Sequence, residues 1–156
     1  MGDASEAALS PAEVRALACV LDLLVPRSAD GRLPGAGELG LVAAIEAALR
    51  DAPGLRPAVH LGLAALAERA RERGAEGFDA LPAAERRAAL DAIAAAQPAF
   101  VPGLVFHTYV AYYRHDRVLL GLGLEPRPPH PLGYALEPGD FSRLEKVRRR
   151  GRLYRD

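Results

Sequence analysis

Few side chains in this sequence can do chemistry. Four histidines stand at positions 60, 107, 115 and 130. His107 and His115 are eight residues apart, about 12 Å of rise along a helix, which is too far for one metal ion unless the helix ends between them. His115 and Asp116 together with Tyr112 offer two or three ligands. The His-Glu-x-x-His, His-x-x-x-His and Glu-x-x-His spacings that place metal ligands on one helix face do not occur. The alternative reading of His107 is a buried, hydrogen-bonded imidazole beside Phe100, Leu104 and Ala111. His60 falls on the flank of an amphipathic helix and reads as a surface residue. His130, between Pro129 and Pro131, reads as exposed and placed to meet a partner. None of Ser5, Ser10, Ser28 and Ser142 has the Gly-x-Ser-x-Gly setting of an activated nucleophile. The stretch Gly31 to Gly40 lacks the Lys-Ser/Thr ending of a phosphate loop and the strand that should precede it. Glu68 and Glu72 interleave with Arg69, Arg71 and Arg73, the pattern of a solvated face. The sequence therefore predicts no active site of its own.

Cys19 is the single cysteine, so an intrachain disulfide and a cysteine-based zinc site are both excluded. Its neighbours Ala18, Val20 and Leu21 predict a small buried hydrophobe. Twenty bases balance twenty acids over 156 residues. Between Arg143 and Asp156, however, seven bases (Arg143, Lys146, Arg148, Arg149, Arg150, Arg152 and Arg155) face only Glu145 and Asp156. The rest of the chain is correspondingly acidic. A nucleic-acid domain needs a broadly basic face, so the balance argues against nucleic acid and for a tail that neutralises acidic surface on its own chain or on a partner. No apolar run reaches the eighteen or so residues of a membrane-spanning helix. The first ten residues carry no Lys or Arg, so neither a secretory nor a twin-arginine signal is read there, and a cytoplasmic chain is expected.

The elements that must position these groups are helical. Ser10-Pro11-Ala12-Glu13 combines an N-cap, a first-turn proline and the Glu of a capping box. Val14, Leu17, Ala18, Leu21, Leu24 and Val25 follow at helical spacing until Pro26. After a Gly- and Pro-rich loop, a second helix is predicted over 38–50 and a third from beyond Pro53-Gly54 to Gly74. A fourth is predicted over 83–96, with Leu90, Ile93 and Ala94 inward and Arg86, Arg87 and Asp91 outward. The fifth begins near Pro98 or Phe100 and reaches about Arg114. It is apolar almost all round, which predicts a fully buried central helix. Val118 to Leu122 suits one more short turn. Strand alternation is absent, and the fold class is all-α: a small bundle of about five helices over 1–122. The remainder, 123–156, is an extended arm with five prolines between Glu125 and Pro138, then a short basic helix from Phe141 to Arg150 capped by Asp140. Such an arm must pack on the bundle or on a partner.

The order of several segments resembles the gluconate 2-dehydrogenase subunit 3 family. They are Leu9-Ser10-Pro11-Ala12-Glu13, Leu24-Val25-Pro26, Pro34-Gly35-Ala36, Gly62-Leu63-Ala64-Ala65-Leu66, Gly77-Phe78-Asp79-Ala80-Leu81 leading into Ala84-Glu85-Arg86, and His107-Thr108 before Tyr112-Tyr113. The resemblance covers residues 9 to about 116. It implies a helical, non-catalytic subunit that escorts or stabilises a large FAD-dependent dehydrogenase of the glucose-methanol-choline type acting on sugars, sugar acids or alcohols. It further implies that FAD sits on that partner, with no cofactor in this chain. Two features depart from the family pattern. No twin-arginine signal is read in the first ten residues, and His115-Asp116-Arg117 and the proline arm stand where many members have Gly-Gly-Asn.

On this reading the partner-binding surface combines the His107 to His115 end of the fifth helix with the arm and tail. The residues assigned to it are His107, Tyr112, His115, His130, Tyr134, Phe141, Arg148 and Tyr154, since aromatic and Arg side chains are the usual anchors of interfaces. Two other assignments come from different classes. One is a stand-alone metal- or histidine-dependent enzyme using His107, Tyr112, His115 and Asp116, and the other is a binder of nucleic acid or an acidic partner through the tail.

Overall fold

The computed structural model describes residues 8–128, 130–133 and 135–150. These residues hold α1 (Pro11–Leu24), α2 (Val42–Asp51), α3 (Arg56–Glu72), α4 (Ala83–Ala96), α5 (Phe100–Tyr112), α6 (Asp116–Gly121) and α7 (Glu145–Arg148), with three 3-10 turns and no strand among them. The chain divides into two compact units at Pro126/Arg127.

In the first unit α1 begins as its sequence dictates. Ser10 Oγ accepts from the Glu13 amide at 3.3 Å, and the Glu13 carboxylate accepts from the Ser10 amide at 2.8 Å. Leu17, Val20 and Leu21 then turn one face of α1 into the core. The predicted second helix starts later than its periodicity suggests. A 3-10 turn occupies Gly37–Leu39, and Gly40 takes φ +64°, a left-handed conformation that ends the turn before α2. The preceding loop is fastened to α1 through Asp22, whose Oδ1 accepts from the Gly37 amide at 2.8 Å. A Cβ on Gly37 would stand 2.5 Å from Ala18 O, so the Pro-Gly-Ala-Gly sequence here answers a close approach of backbone to helix.

The central helix is α3, not α5. It packs against α1, α4, α5 and the Phe78–Ala80 turn, burying Val59, Leu63, Leu66 and Ala70. Gly62 lets the Phe100 ring lie on the α3 backbone, since a Cβ there would sit 2.5 Å from the ring. The prediction of a fully buried fifth helix fails. α5 buries only Phe100, Leu104, Thr108 and Tyr112, a stripe at intervals of four. Thr108, the one buried polar residue among those described, returns its hydroxyl to Leu104 O at 2.6 Å. Among the described residues no single helix is long and apolar enough to cross a membrane; α4 and α5 meet that test only as a pair bent by 116°.

Two polar details also differ from expectation. Arg86 is half-buried rather than outward and donates to the half-buried Cys19 Sγ at 3.4 Å. His60 is half-buried and its Nδ1 lies 3.1 Å from Glu13 Oε1, linking α3 to the start of α1.

The second unit has little regular structure. Arg127 donates to Gly133 O at 2.8 Å, and Asp140 Oδ1 accepts from the Ser142 amide at 3.0 Å. In place of the predicted helix from Phe141 to Arg150 there is a 3-10 turn, Ser142–Leu144, followed by the four residues of α7. Phe141, Leu144 and Val147 recur at helical spacing but are all exposed, and a short helix whose apolar side is not buried is marginal in water.

Candidate functional site

One feature of the first unit that core packing does not explain is the outer face of α5. Phe106, Tyr109, Val110 and Tyr113 fall at i, i+3, i+4 and i+7 and so form one stripe. They are 64%, 46%, 41% and 50% exposed. The rings are organised: Tyr109 and Tyr113 stack edge-on with centroids 6.0 Å apart, and Tyr113 meets Tyr112 at 5.2 Å. A row of aromatic and apolar side chains in water is the surface that association buries.

Beside this stripe, α2 and α5 enclose a groove of about 440 Å³. Leu41, Ala44, Ala48 and Asp51 form one wall, and His107, Val110, Ala111, Arg114 and His115 the other. His107 is therefore half-buried at a groove wall, not sealed in the core beside Phe100 and Leu104. Its ring stands edge-on to Phe106 with centroids 5.1 Å apart. His115 also lines the groove, but its Nδ1 is engaged, accepting from the Arg117 amide at 3.2 Å as the N-cap of α6. That cap explains why α6 starts at Asp116, two residues before the predicted turn.

Tyr112 belongs to the core. It is 2% exposed, and its hydroxyl donates to Pro34 O at 2.8 Å, pinning the Gly- and Pro-rich loop to α5. Burial, with Tyr113 and Glu38 adding to it, pushes its phenol above the ordinary tyrosine value. It is not available to a partner. The loop it holds is braced again by Arg27, which donates through two nitrogens to Glu38. That bidentate bond, then the amide of Gly35 and the charge of Arg117, hold the Glu38 carboxyl below its usual range.

In the second unit His130, Phe141 and Arg148 are exposed. Tyr134 and Tyr154 lie outside the described residues. His107 and His115 thus share a groove, Tyr112 anchors a loop behind them, and the arm residues belong to a separate unit. Among the described residues no group of three or more His, Cys, Asp or Glu side chains could hold a metal ion. The sequence reading missed Phe106, Tyr109, Val110 and Tyr113. The available signal is the missing polar face of α5, which is equally compatible with burial on all sides and with one exposed apolar side.

No curated protein and no solved structure matches the chain. The profile of the gluconate 2-dehydrogenase subunit 3 family does match, over residues 11–119, from the first residue of α1 into α6 and across the whole of α5. The chain therefore belongs to the gluconate 2-dehydrogenase subunit 3 family, as the order of its segments implies.

Proposed function

We propose that this chain is an accessory subunit that docks on, and stabilises, the large FAD-bearing subunit of a sugar or alcohol dehydrogenase, using the outer stripe of α5. The observation that carries the proposal is the row Phe106, Tyr109, Val110 and Tyr113, left in water on a helix whose opposite side is fully used by the core. Membership of a family named as a dehydrogenase subunit supplies the class of occupant. The groove alongside, with two imidazoles, Arg114 and Asp51 at its walls, gives that contact polar points to orient it. FAD and the reacting atoms belong to the partner in this reading, and the small chain contributes surface.

The test is co-purification from the native cell with and without Phe106→Asp and Tyr109→Asp together. Recovery of a flavin-containing dehydrogenase with the wild-type chain, lost with the double variant while its helical circular dichroism is unchanged, is the expected result. Retention of the flavoprotein by the double variant would sink the docking face. Recovery of the wild-type chain with no flavoprotein would sink the subunit reading.

A further inference from the structure

A second surface, away from the α5 stripe, has the composition of an anion site. Between the Gly- and Pro-rich loop and α6 lies a cleft of about 360 Å³ whose lining includes Arg27, Arg32, Arg117, Pro34, Leu120 and Gly121. Three guanidinium groups line it and no acidic residue does. The nearby acids are already committed. Glu38 is held by the two nitrogens of Arg27, and Asp30 accepts from the Ser28 hydroxyl at 2.6 Å and the Arg32 amide at 3.1 Å.

The three arginines differ in how they are held. Arg32 donates from Nη2 to Gly121 O at 2.9 Å, which leaves its other nitrogens to act from a fixed position. A Cβ on Gly121 would stand 2.7 Å from Arg32 O and 2.8 Å from Leu33 Cδ2, so the glycine lets the loop close directly onto α6 and brings Arg32 beside Arg117. Arg27 is fixed by Glu38. Arg117 makes no side-chain hydrogen bond or ion pair among the described residues, although its charge reaches Glu38. Two positioned guanidinium groups and one uncommitted one, around a single cleft, suit a multivalent oxyanion approached from several directions. A single carboxylate would satisfy only one fork.

We infer that this cleft binds a phosphate group, free or as a small phosphate monoester. The proposal is independent of the docking face on α5. It is tested by calorimetric titration of the full chain at constant ionic strength with inorganic phosphate, glycerol 3-phosphate and, for comparison, acetate. The variants are Arg117→Gln, which removes the uncommitted guanidinium without breaking a fold contact, and Arg50→Gln on exposed α2 as a charge-matched control. Saturable binding of phosphate or its ester but not acetate, weakened about tenfold or more by R117Q through loss of a charge-assisted hydrogen bond and unchanged by R50Q, supports the site. Tighter binding of the ester identifies the source as a phosphorylated small molecule, and tighter binding of inorganic phosphate identifies it as the free ion. Equal weakening by R117Q and R50Q would reduce the effect to general charge and overturn the proposal. So would the absence of saturation with either phosphate.

Discussion

The two sides of α5 are built from the same classes of residue and have opposite fates. Phe100, Leu104, Thr108 and Tyr112 are buried, while Phe106, Tyr109, Val110 and Tyr113, about half a turn away around the helix, stand partly or largely in water. A small bundle offers a helix only as much apolar surface as its neighbours present, and here α2 and α3 supply one narrow seam. The difference teaches that a helix without a polar face need not be central. On the proposed function its surplus apolar side is the docking surface, and the two stripes should separate cleanly in experiment.

Truncation on the inner side gives the largest expected effect. Phe100→Ala should cost roughly 3–5 kcal/mol, because it empties a fully buried site against α3. Phe106→Ala and Tyr109→Ala should each stay within about 0.5 kcal/mol, since they remove little that is packed. Urea unfolding of the three variants decides the matter, and comparable losses from both sides would erase the distinction.

Gly62→Ala probes the inner side from the facing helix and should cost roughly 1–3 kcal/mol. The new methyl group meets Phe100 ring atoms that have nowhere to retreat. A thermal melt of G62A at or above wild-type stability would show that α3 and α5 are less tightly seated than their contact implies.

How far the sequence foretold this arrangement depended on whether the signal was local. The Ser10 capping box, Pro26, Gly74 and the span of α4 were legible because helix ends are written in the residues that make them. The seating of Tyr112 on Pro34 O was not, as its partner lies 78 positions away and no periodicity points to it. The same holds for Asp22 with Gly37, and for the cleft that gathers Arg27, Arg32 and Arg117 from two separate segments. His107 and His115 stand out in the sequence for their chemistry. The first proved to line a groove, and the second also caps a helix, a role visible in principle from the His-Asp pair ahead of Val118. The outer stripe of α5 was present in the sequence at helical spacing. Its exposure is not legible there, because apolarity alone does not say which neighbour is present to cover it.

Tyr112→Phe should cost about 1–2 kcal/mol. The ring still fills its site, but the buried Pro34 carbonyl loses its donor. The comparison sharpens if Y112F lowers stability in urea while Tyr113→Phe, on the exposed side, does not. Equal behaviour of the two would mean that the hydroxyl on Pro34 contributes nothing.

The smallest effect is expected at Glu13, which ties the start of α1 to α3 and touches neither stripe. Partial burial pushes its carboxyl up, but the hydroxyl and amide of Ser10 and the ring of His60 outweigh that and leave it below the usual carboxylate value. A carboxyl that is more acidic in the folded chain contributes stability above its unfolded pKa and loses it as pH falls through the folded value. Melting temperature should therefore drop on acidification between about pH 5 and pH 3, and Glu13→Gln should flatten that drop while lowering stability slightly at neutral pH. Because α5 is untouched, E13Q should co-purify with the proposed flavoprotein partner to the same extent as wild type. An acid limb unchanged by E13Q would assign that pH dependence to other carboxylates, Glu38 and Asp30 first, since their bonds to Arg27 and Ser28 hold them down in the same direction.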